Sequence, residues 1–123
     1  MSTGFWYLAT PYTRYPLGRD EAFRMAARVA GRLVLRGVHV FSPIAHSHPI
    51  AELGGIDPCD GAKWRHADAP FVEAARGCIV YQARGWDTSA GVAHEIAEFT
   101  RAGKPVVYMR AERWPEIPPE LLP

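Results

Sequence analysis

Four short runs of strand-forming residues recur along the chain, and they constrain its fold more than any other feature. The runs are FWYLA (5–9), HVFS (39–42), CIVYQ (78–82) and PVVYM (105–109). Most of them are apolar throughout, which is typical of a parallel sheet covered on both faces. Because helical patterns lie between them, we expect a small doubly wound, Rossmann-like or flavodoxin-like parallel α/β sheet of about four to five strands.

Three helices are predicted between these strands, over residues 19–36, 62–76 and 90–102. The first has the acidic residues Asp20 and Glu21 at its start, where they complement the helix dipole. Residues 43–61 contain several prolines and glycines and are expected to form a long loop. The 123 residues fit one domain, and the Pro-rich tail (114–123) is expected to lie against it or to make a subunit contact.

Composition and charge exclude some partners. The chain is 48% hydrophobic and 22% charged, and its net charge of +1 supplies no basic field for a nucleic-acid polymer. No apolar stretch is long enough to span a membrane, and MSTGFWYLATPY lacks the features of a signal peptide. Cys59 and Cys78 form no CxxC pair, so we expect a cytoplasmic protein with both thiols reduced.

Three loops are expected to meet at one edge of the sheet, because ligands of such folds bind beyond the carboxyl ends of the strands. These loops are residues 10–14, 43–49 and 83–91. A helix follows the third loop, and in it Glu95 falls at the margin of the apolar stripe, on the same side as Gly91. An ordinary acid at the flank of a helix is the alternative for Glu95. Small residues before the helix favour a ligand, since they clear space beside exposed backbone N–H groups.

Asp68, in WRHADAPF, is the second candidate acid. Alone it would be an N-cap or surface acid, but paired carboxylates can divide nucleophilic and proton-transfer roles. His46 and His48 are expected to line a polar substrate pocket, since H-x-H without a third spaced ligand is a weak metal pattern. His94 is expected to face solvent and ranks below Glu95.

Aromatic residues offer stacking surfaces for a planar ligand. Trp86 stands beside the small-residue turn, although it can also simply cover the sheet edge, and Trp6, Tyr12 and Trp64 are further candidates. A GxGxxG fingerprint after the first strand and a GxxxxGK[ST] loop are both absent from the sequence. These absences argue against a dinucleotide-dependent dehydrogenase and a P-loop NTPase.

The segments WYLATPY, RHAD and GWDTSAGVAHEIAEFTRAGKPVVY together resemble the nucleoside 2-deoxyribosyltransferase superfamily, in particular its small DUF1937-like and DUF4406-like members. The resemblance covers nearly all of residues 5–109 and includes S-x-G-x-x-x-E followed by GKPV. It implies that Glu95 attacks the anomeric carbon of a deoxyribosyl group and that Tyr7 orients its carboxylate. It further implies that Asp68 manages the proton of the leaving base, while Ser89 and Gly91 contact the sugar or its 5′ group.

The resemblance also implies a homodimer or higher homo-oligomer and no cofactor or metal. One departure concerns the loop after the first strand, which is ATPYTRY where related monophosphate hydrolases carry a Gly-rich, Ser-containing loop. Phosphate binding would then fall to Thr10, Thr13, Arg14 or Ser89. Some transferases carry an Asp at the position of Ser89, which argues mildly against a transferase.

The function expected from these residues and this resemblance is an N-glycosidase that cleaves the base–sugar bond of a (deoxy)nucleoside 5′-monophosphate through a covalent glycosyl–Glu95 intermediate. One alternative is a nucleoside 2-deoxyribosyltransferase, in which a second base resolves the intermediate. The other is a non-catalytic nucleotide-binding or sensing module.

Overall fold

The computed structural model describes residues 4–123, and its centre is a sheet of four parallel strands. The strands are β1 (Trp6–Ala9), β2 (Val40–Phe41), β3 (Gly77–Gln82) and β4 (Val106–Arg110), in the order β2-β1-β3-β4. The predicted parallel α/β fold is therefore confirmed. Residues 1–3, which begin the segment interpreted as lacking a signal peptide, lie outside the described residues.

Four helices connect the strands: α1 (Arg19–Leu35), α2 (Pro43–Gly54), α3 (Gly61–Ala74) and α4 (Ala90–Arg101). The chain runs from β1 outward to β2 and then returns across β1 to β3. Because β–α–β crossovers are right-handed, this reversal puts α1 on one face of the sheet and α3 and α4 on the other. Such a reversal opens a crevice at the carboxyl edge, between the loops after β1 and β3.

Two apolar cores follow from the alternation of side chains along each strand. On the α1 face, Leu8 and Ile79 pack with Val29 and Leu33 of α1. The Pro-rich tail lies against the same face, where Ile117 and Leu121 are buried; two short 3-10 turns shape the end of the chain (Ala111–Arg113 and Pro119–Leu121).

The opposite core is more aromatic. Tyr7 is fully buried there with Val80 of β3 and with Val92 and Phe99 of α4. The rings of Phe41 and Phe71 stack with their centroids 4.2 Å apart, which joins β2 to α3. The side chain of Tyr7 therefore leaves the sheet on the face that carries α3 and α4.

The long loop predicted for residues 43–61 is wrong, because most of it forms α2. Ser42 caps the helix by accepting a hydrogen bond from the Ala45 N–H, and Pro43 occupies the first turn, where its missing N–H costs nothing. Pro49 lies inside the helix without ending it. Gly55 then ends α2 in the left-handed conformation.

The other predicted boundaries differ from the observed ones by one or two residues, as is usual at frayed ends. Asp60, and not Asp68, is the N-cap of α3: its side chain accepts a hydrogen bond from the Lys63 N–H. Within the described part of the chain, no helix is both long and apolar enough to cross a bilayer.

Candidate active site

A cavity of about 240 Å³ opens at the carboxyl edge of the sheet, where the reversal of strand order predicts a ligand site. Its walls come from the loop after β1 and from α2, α3 and the start of α4. Eight of the candidate ligand-binding or catalytic residues named from the sequence line it: Thr10, Tyr12, Thr13, Trp64, Asp68, Ser89, Gly91 and Glu95.

Glu95 is held by Tyr7, which lies below the cavity on β1. The Tyr7 hydroxyl donates a 2.6 Å hydrogen bond to Oε2 of Glu95, 88 residues further along the chain. No other hydrogen bond reaches the Glu95 side chain from the described residues. One carboxylate oxygen is thus fixed by a buried donor, and the other is left for a ligand.

Burial raises the pKa of Glu95 to about 8, although the Tyr7 hydrogen bond acts in the opposite direction. The nearby charge of Asp68 raises the Glu95 pKa further. Burial and Glu95 together raise the pKa of Tyr7 far above its usual range, so this hydroxyl keeps its proton and acts only as a donor. A carboxyl group perturbed in this way, and lining a cavity, marks a candidate functional site.

Asp68 lies on α3 and faces the same cavity as Glu95. Burial raises the pKa of Asp68 to about 6, and the nearby His46 partly opposes that rise. The two acids therefore differ in proton affinity while they line one space. Such a difference allows one carboxyl group to carry a proton while the other is ionised.

The floor of the cavity contains small polar groups at the start of α4. Ser89 is the N-cap of α4 and accepts a hydrogen bond from the Val92 N–H. A Cβ atom at Gly91 would have no protein atom closer than Ser89 Oγ at 3.9 Å, so the glycine leaves open space toward the cavity. Thr10 is 4% exposed, and its Oγ1 is buried without a hydrogen-bond partner in the protein. An orphaned buried hydroxyl beside an open helix start indicates a site for a polar ligand.

Other residues singled out from the sequence lie elsewhere. Arg14 is exposed, with its carbonyl oxygen against Gly85, and it does not line the cavity. Trp86 packs edge-on against Tyr108, with ring centroids 5.9 Å apart, and is also absent from the cavity wall. Trp6 belongs to the α1 core, which leaves Tyr12 and Trp64 as the aromatic side chains that line the cavity.

His46 and His48 point to different surroundings because positions i and i+2 of a helix do not share a face. His46 packs beside Phe41 and Phe71 and is close enough to Asp68 to affect its pKa. His48 stacks on Phe23 of α1 and meets the Tyr12 hydroxyl on the far side of that tyrosine. Neither histidine lines the cavity that holds Glu95.

The two basic residues that line the cavity are not among the site residues predicted from the sequence. His94 is exposed, as expected, but it also lines the cavity beside Glu95. Arg65 precedes Asp68 by three residues on α3 and therefore shares its face, a spacing that could have revealed it. A groove of about 510 Å³ between α3 and α4 contains Arg65, Asp68, His94 and Glu95 as well, so the acid pair stands where two openings meet.

The fold and the site together define a class: a small parallel α/β protein with a tyrosine-held glutamate and a second, partly buried acid in the crevice at its carboxyl edge. Residues 4–111 match the family model described as "Domain of unknown function (DUF1937)", and the chain belongs to that family. The comparison with curated proteins gives no match.

Proposed function

We propose that the protein is an N-glycosidase that hydrolyses the base–sugar bond of a (deoxy)nucleoside 5′-monophosphate. The observation that carries the proposal is Glu95, which lies in a cavity with one oxygen held by the Tyr7 hydroxyl and with Asp68 beside it. A nucleophilic carboxylate and a second acid of raised pKa are what a retaining glycosidase needs.

In the first step, the free Oε1 of Glu95 attacks the anomeric carbon as the C–N bond to the base breaks. The higher pKa of Glu95 places the proton shared by the pair mainly on Glu95, so the reacting state is the minor one in which Glu95 is ionised and Asp68 is protonated. From that state Asp68 gives its proton to the departing base. The product of this step is a glycosyl ester on Glu95. Tyr7 keeps Oε2 hydrogen-bonded throughout, which directs Oε1 toward the sugar.

In the second step, water attacks the anomeric carbon and Asp68, now a carboxylate, accepts its proton. The ester bond to Glu95 breaks, and Glu95 and Asp68 return to their starting states. The sum is nucleotide plus water giving free base plus (deoxy)ribose 5-phosphate. Two inversions at the anomeric carbon retain its configuration.

The 5′-phosphate is proposed to bind at the start of α4. Support comes from the unpartnered Thr10 hydroxyl, from Ser89, and from the first backbone N–H groups of a 12-residue helix. Thr13 also lines the cavity, and Arg65 supplies a positive charge there. The base would then lie toward Trp64 and Tyr12, whose rings offer stacking surfaces.

Transfer of the sugar to a second base is the other candidate reaction. The groove between α3 and α4 reaches Glu95 and Asp68 from a second direction, so an acceptor base can approach while the sugar stays in the first cavity. Water and base would then compete for the same glycosyl ester. Addition of free base to the assay distinguishes them, because transfer yields a new nucleotide.

We further propose a cytoplasmic homodimer or higher homo-oligomer. Support comes from α3, which has no buried residue and leaves Ala67, Pro70 and Ala74 exposed beside the cavity. Both cysteines are free, which fits a reducing compartment. Light scattering during gel filtration measures the oligomeric state, and a monomer at micromolar concentration would contradict this part of the proposal.

The decisive experiment incubates the protein with each common ribo- and deoxyribonucleoside 5′-monophosphate and measures free base by chromatography. We expect base release with at least one substrate and none with Glu95→Ala. Glu21→Ala, which changes an exposed acid on α1 that lines neither opening to Glu95, is the control and should retain activity. Tight nucleotide binding without release by the wild-type protein would instead support a sensing module.

A further inference from the structure

Behind Tyr12, on the side away from Glu95, a second cluster of polar side chains lies between α1 and α2. His48 Nε2 is 3.0 Å from Oδ1 of Asp20 and 3.3 Å from Oε1 of Glu52. These three ligand atoms lie within 4.8 Å of one another. The cluster borders its own cavity of about 630 Å³, which opens beside Arg19 and Cys59.

We propose that Asp20, His48 and Glu52 form a binding site for a divalent transition-metal cation such as Zn²⁺ or Mn²⁺. One imidazole nitrogen with two carboxylate oxygens suits these ions better than Ca²⁺ or Mg²⁺, which prefer oxygen alone. The proposal is independent of the glycosidase reaction, because the cluster and Glu95 line different cavities.

The two distances from His48 Nε2, 3.0 and 3.3 Å, are close to those between neighbouring ligand atoms of a metal ion. In a tetrahedral site with metal–ligand bonds of about 2.0–2.1 Å, neighbouring ligand atoms are about 3.3–3.4 Å apart. The carboxylates of Asp20 and Glu52 are 78% and 59% exposed, so small rotations bring them onto an ion while solvent fills the open position. His48 and Glu52 share a face of α2 at spacing i, i+4, a common way to present two ligands from one helix.

The ring of His48 is fixed by burial, stacking and a hydrogen-bond partner on one nitrogen, as is usual for a metal-binding histidine. The residue is 6% exposed, its ring stacks on Phe23 at 4.7 Å, and its Nδ1 is 2.6 Å from the Tyr12 hydroxyl. A partner on one ring nitrogen fixes the ring so that the other nitrogen can serve the ion. Here that other nitrogen, Nε2, is the one that faces both carboxylates.

The electrostatics of the cluster also favour a cation. When Nδ1–H donates to Tyr12, the Nε2 lone pair faces two negative carboxylates and nothing positive lies between them. When Nε2 carries the proton instead, its single N–H has to donate to the carboxylates of both Asp20 and Glu52. Among the described residues, neither Asp20 nor Glu52 pairs with an arginine or lysine; the neighbouring Arg19 guanidinium contacts Cys59 Sγ at 3.2 Å. A divalent ion would neutralise both charges.

Tyr12 connects this site to the candidate active site, since its side chain lines both cavities and its hydroxyl contacts His48. A bound ion would hold His48 and Tyr12 in place and so fix one wall of the Glu95 cavity. We therefore assign the ion a structural role: it stabilises the loop after β1 and takes no part in bond cleavage.

The test is titration of chelator-treated protein with ZnCl₂ and with MnCl₂ by calorimetry. The wild-type chain is expected to bind about one equivalent of Zn²⁺, with a rise in Tm. Asp20→Asn and Glu52→Gln change exposed side chains and should each weaken binding at least tenfold, and the double variant should abolish it. Tyr12→Phe, which removes the partner of Nδ1, should weaken binding about 10- to 100-fold.

Glu21→Gln on α1 and His46→Ala on α2 are the matched controls and should bind Zn²⁺ as the wild-type protein does. X-ray absorption of the Zn²⁺ complex should show nitrogen and oxygen ligands at about 2.0–2.2 Å and no sulfur at about 2.3 Å. Three results would each overturn the proposal: no binding by the wild type, unchanged affinity in the Asp20→Asn, Glu52→Gln double variant, or sulfur ligation that disappears in Cys59→Ser.

Discussion

Tyr7 and Glu95 show how one buried residue sets the chemistry of another. Tyr7 lies at the centre of a parallel sheet, where a hydroxyl without a partner would be costly, and Glu95 accepts its hydrogen bond. The same bond lowers the pKa of a carboxyl group that burial raises to about 8. Tyr7 therefore stabilises the charged form of Glu95 at a position where burial limits stabilisation by water.

Tyr7→Phe tests this relation at the scale of one atom. Loss of the hydroxyl should raise the pKa of Glu95 further, because the bond that stabilises its charged form disappears. We expect kcat/KM to fall about 10- to 100-fold, from roughly 1.4 to 2.7 kcal/mol of lost stabilisation, and its alkaline limb to move to higher pH. The measurement is kcat/KM against pH.

Tyr81→Phe is the control for this variant, since Tyr81 is also a buried tyrosine of the sheet but belongs to the α1 core. We expect Tyr81→Phe to leave the pH dependence of kcat/KM unchanged. An unchanged profile in Tyr7→Phe would show that Tyr7 serves only packing.

The two acids should together give a bell-shaped dependence of activity on pH. The pKa values of about 6 for Asp68 and about 8 for Glu95 describe a coupled pair that holds one proton between these limits. Below about pH 6 both acids are protonated and no carboxylate can attack, whereas above about pH 8 no proton remains for the leaving base. The measurement is kcat/KM from pH 4 to 10, and a profile that is flat from about 6 to 10 would contradict the assignment of Asp68 as the acid.

At the scale of elements, the loop after β1 is held in place by the loop after β3. Gly85 has φ +93°, and a Cβ atom there would lie 2.3 Å from the carbonyl oxygen of Arg14. Only glycine fits this position, for both its conformation and its lack of a side chain. The contact joins the segment that carries Thr10 and Tyr12 to the segment that leads into α4.

Gly85→Ala should therefore destabilise the protein by about 1–3 kcal/mol or more, and should raise KM because the cavity wall moves. Gly31→Ala is the control, since Gly31 lies in α1 with no atom near a built Cβ. That variant should be more stable than wild type by about 0.5–1 kcal/mol. Urea denaturation measures both free energies of unfolding, and equal values for the two variants would contradict the argument.

The strands of the sheet were predictable from the sequence pattern, whereas helix α2 was not. The two central strands, β1 and β3, were predictable because burial on both faces leaves uninterrupted apolar runs, as in residues 78–81. α2 was not, because Pro49 and two histidines disguise a helix whose stability comes from the Ser42 cap and from packing against α1. A predicted loop over residues 43–61 hides the i, i+4 spacing of His48 and Glu52, which has meaning only in a helix.

At the scale of the whole molecule, the strand order explains which candidate residues meet. Thr10, after β1, and the start of α4, after β3, meet at one cavity on the carboxyl edge, and α3 adds Asp68 to its wall. The rule that ligands bind at this edge did not exclude Arg14 or Trp86, which follow the same strands but turn elsewhere. Their directions depend on tertiary contacts, Gly85 for Arg14 and Tyr108 for Trp86, which no local pattern encodes.

The partly buried acids Asp68 and Glu95 also affect the stability of the entire fold. Because the Glu95 pKa of about 8 exceeds its ordinary value of 4.5, the folded chain holds this proton more tightly than the unfolded chain does. The contribution of Glu95 is therefore complete below about pH 4.5 and is lost as the pH rises through about 8. Asp68 acts in the same direction between its ordinary 3.8 and about 6. The fold is thus most stable when Glu95 is neutral, whereas the proposed reaction needs Glu95 in its charged form.

Glu95→Gln should remove this loss, since glutamine keeps an oxygen for the Tyr7 hydroxyl but has no charge to desolvate. We expect its Tm to exceed that of wild type by a margin that grows from pH 5 to pH 9 and reaches about 5 °C, the shift that roughly 1 kcal/mol causes in a domain of this size. Glu73→Gln, at an exposed position on α3, should show no such trend. Scanning calorimetry across this pH range provides the comparison. A constant difference, or a wild-type protein that is more stable at pH 9, would mean that Glu95 is ionised without strain, and the case for a desolvated nucleophile would fail with it.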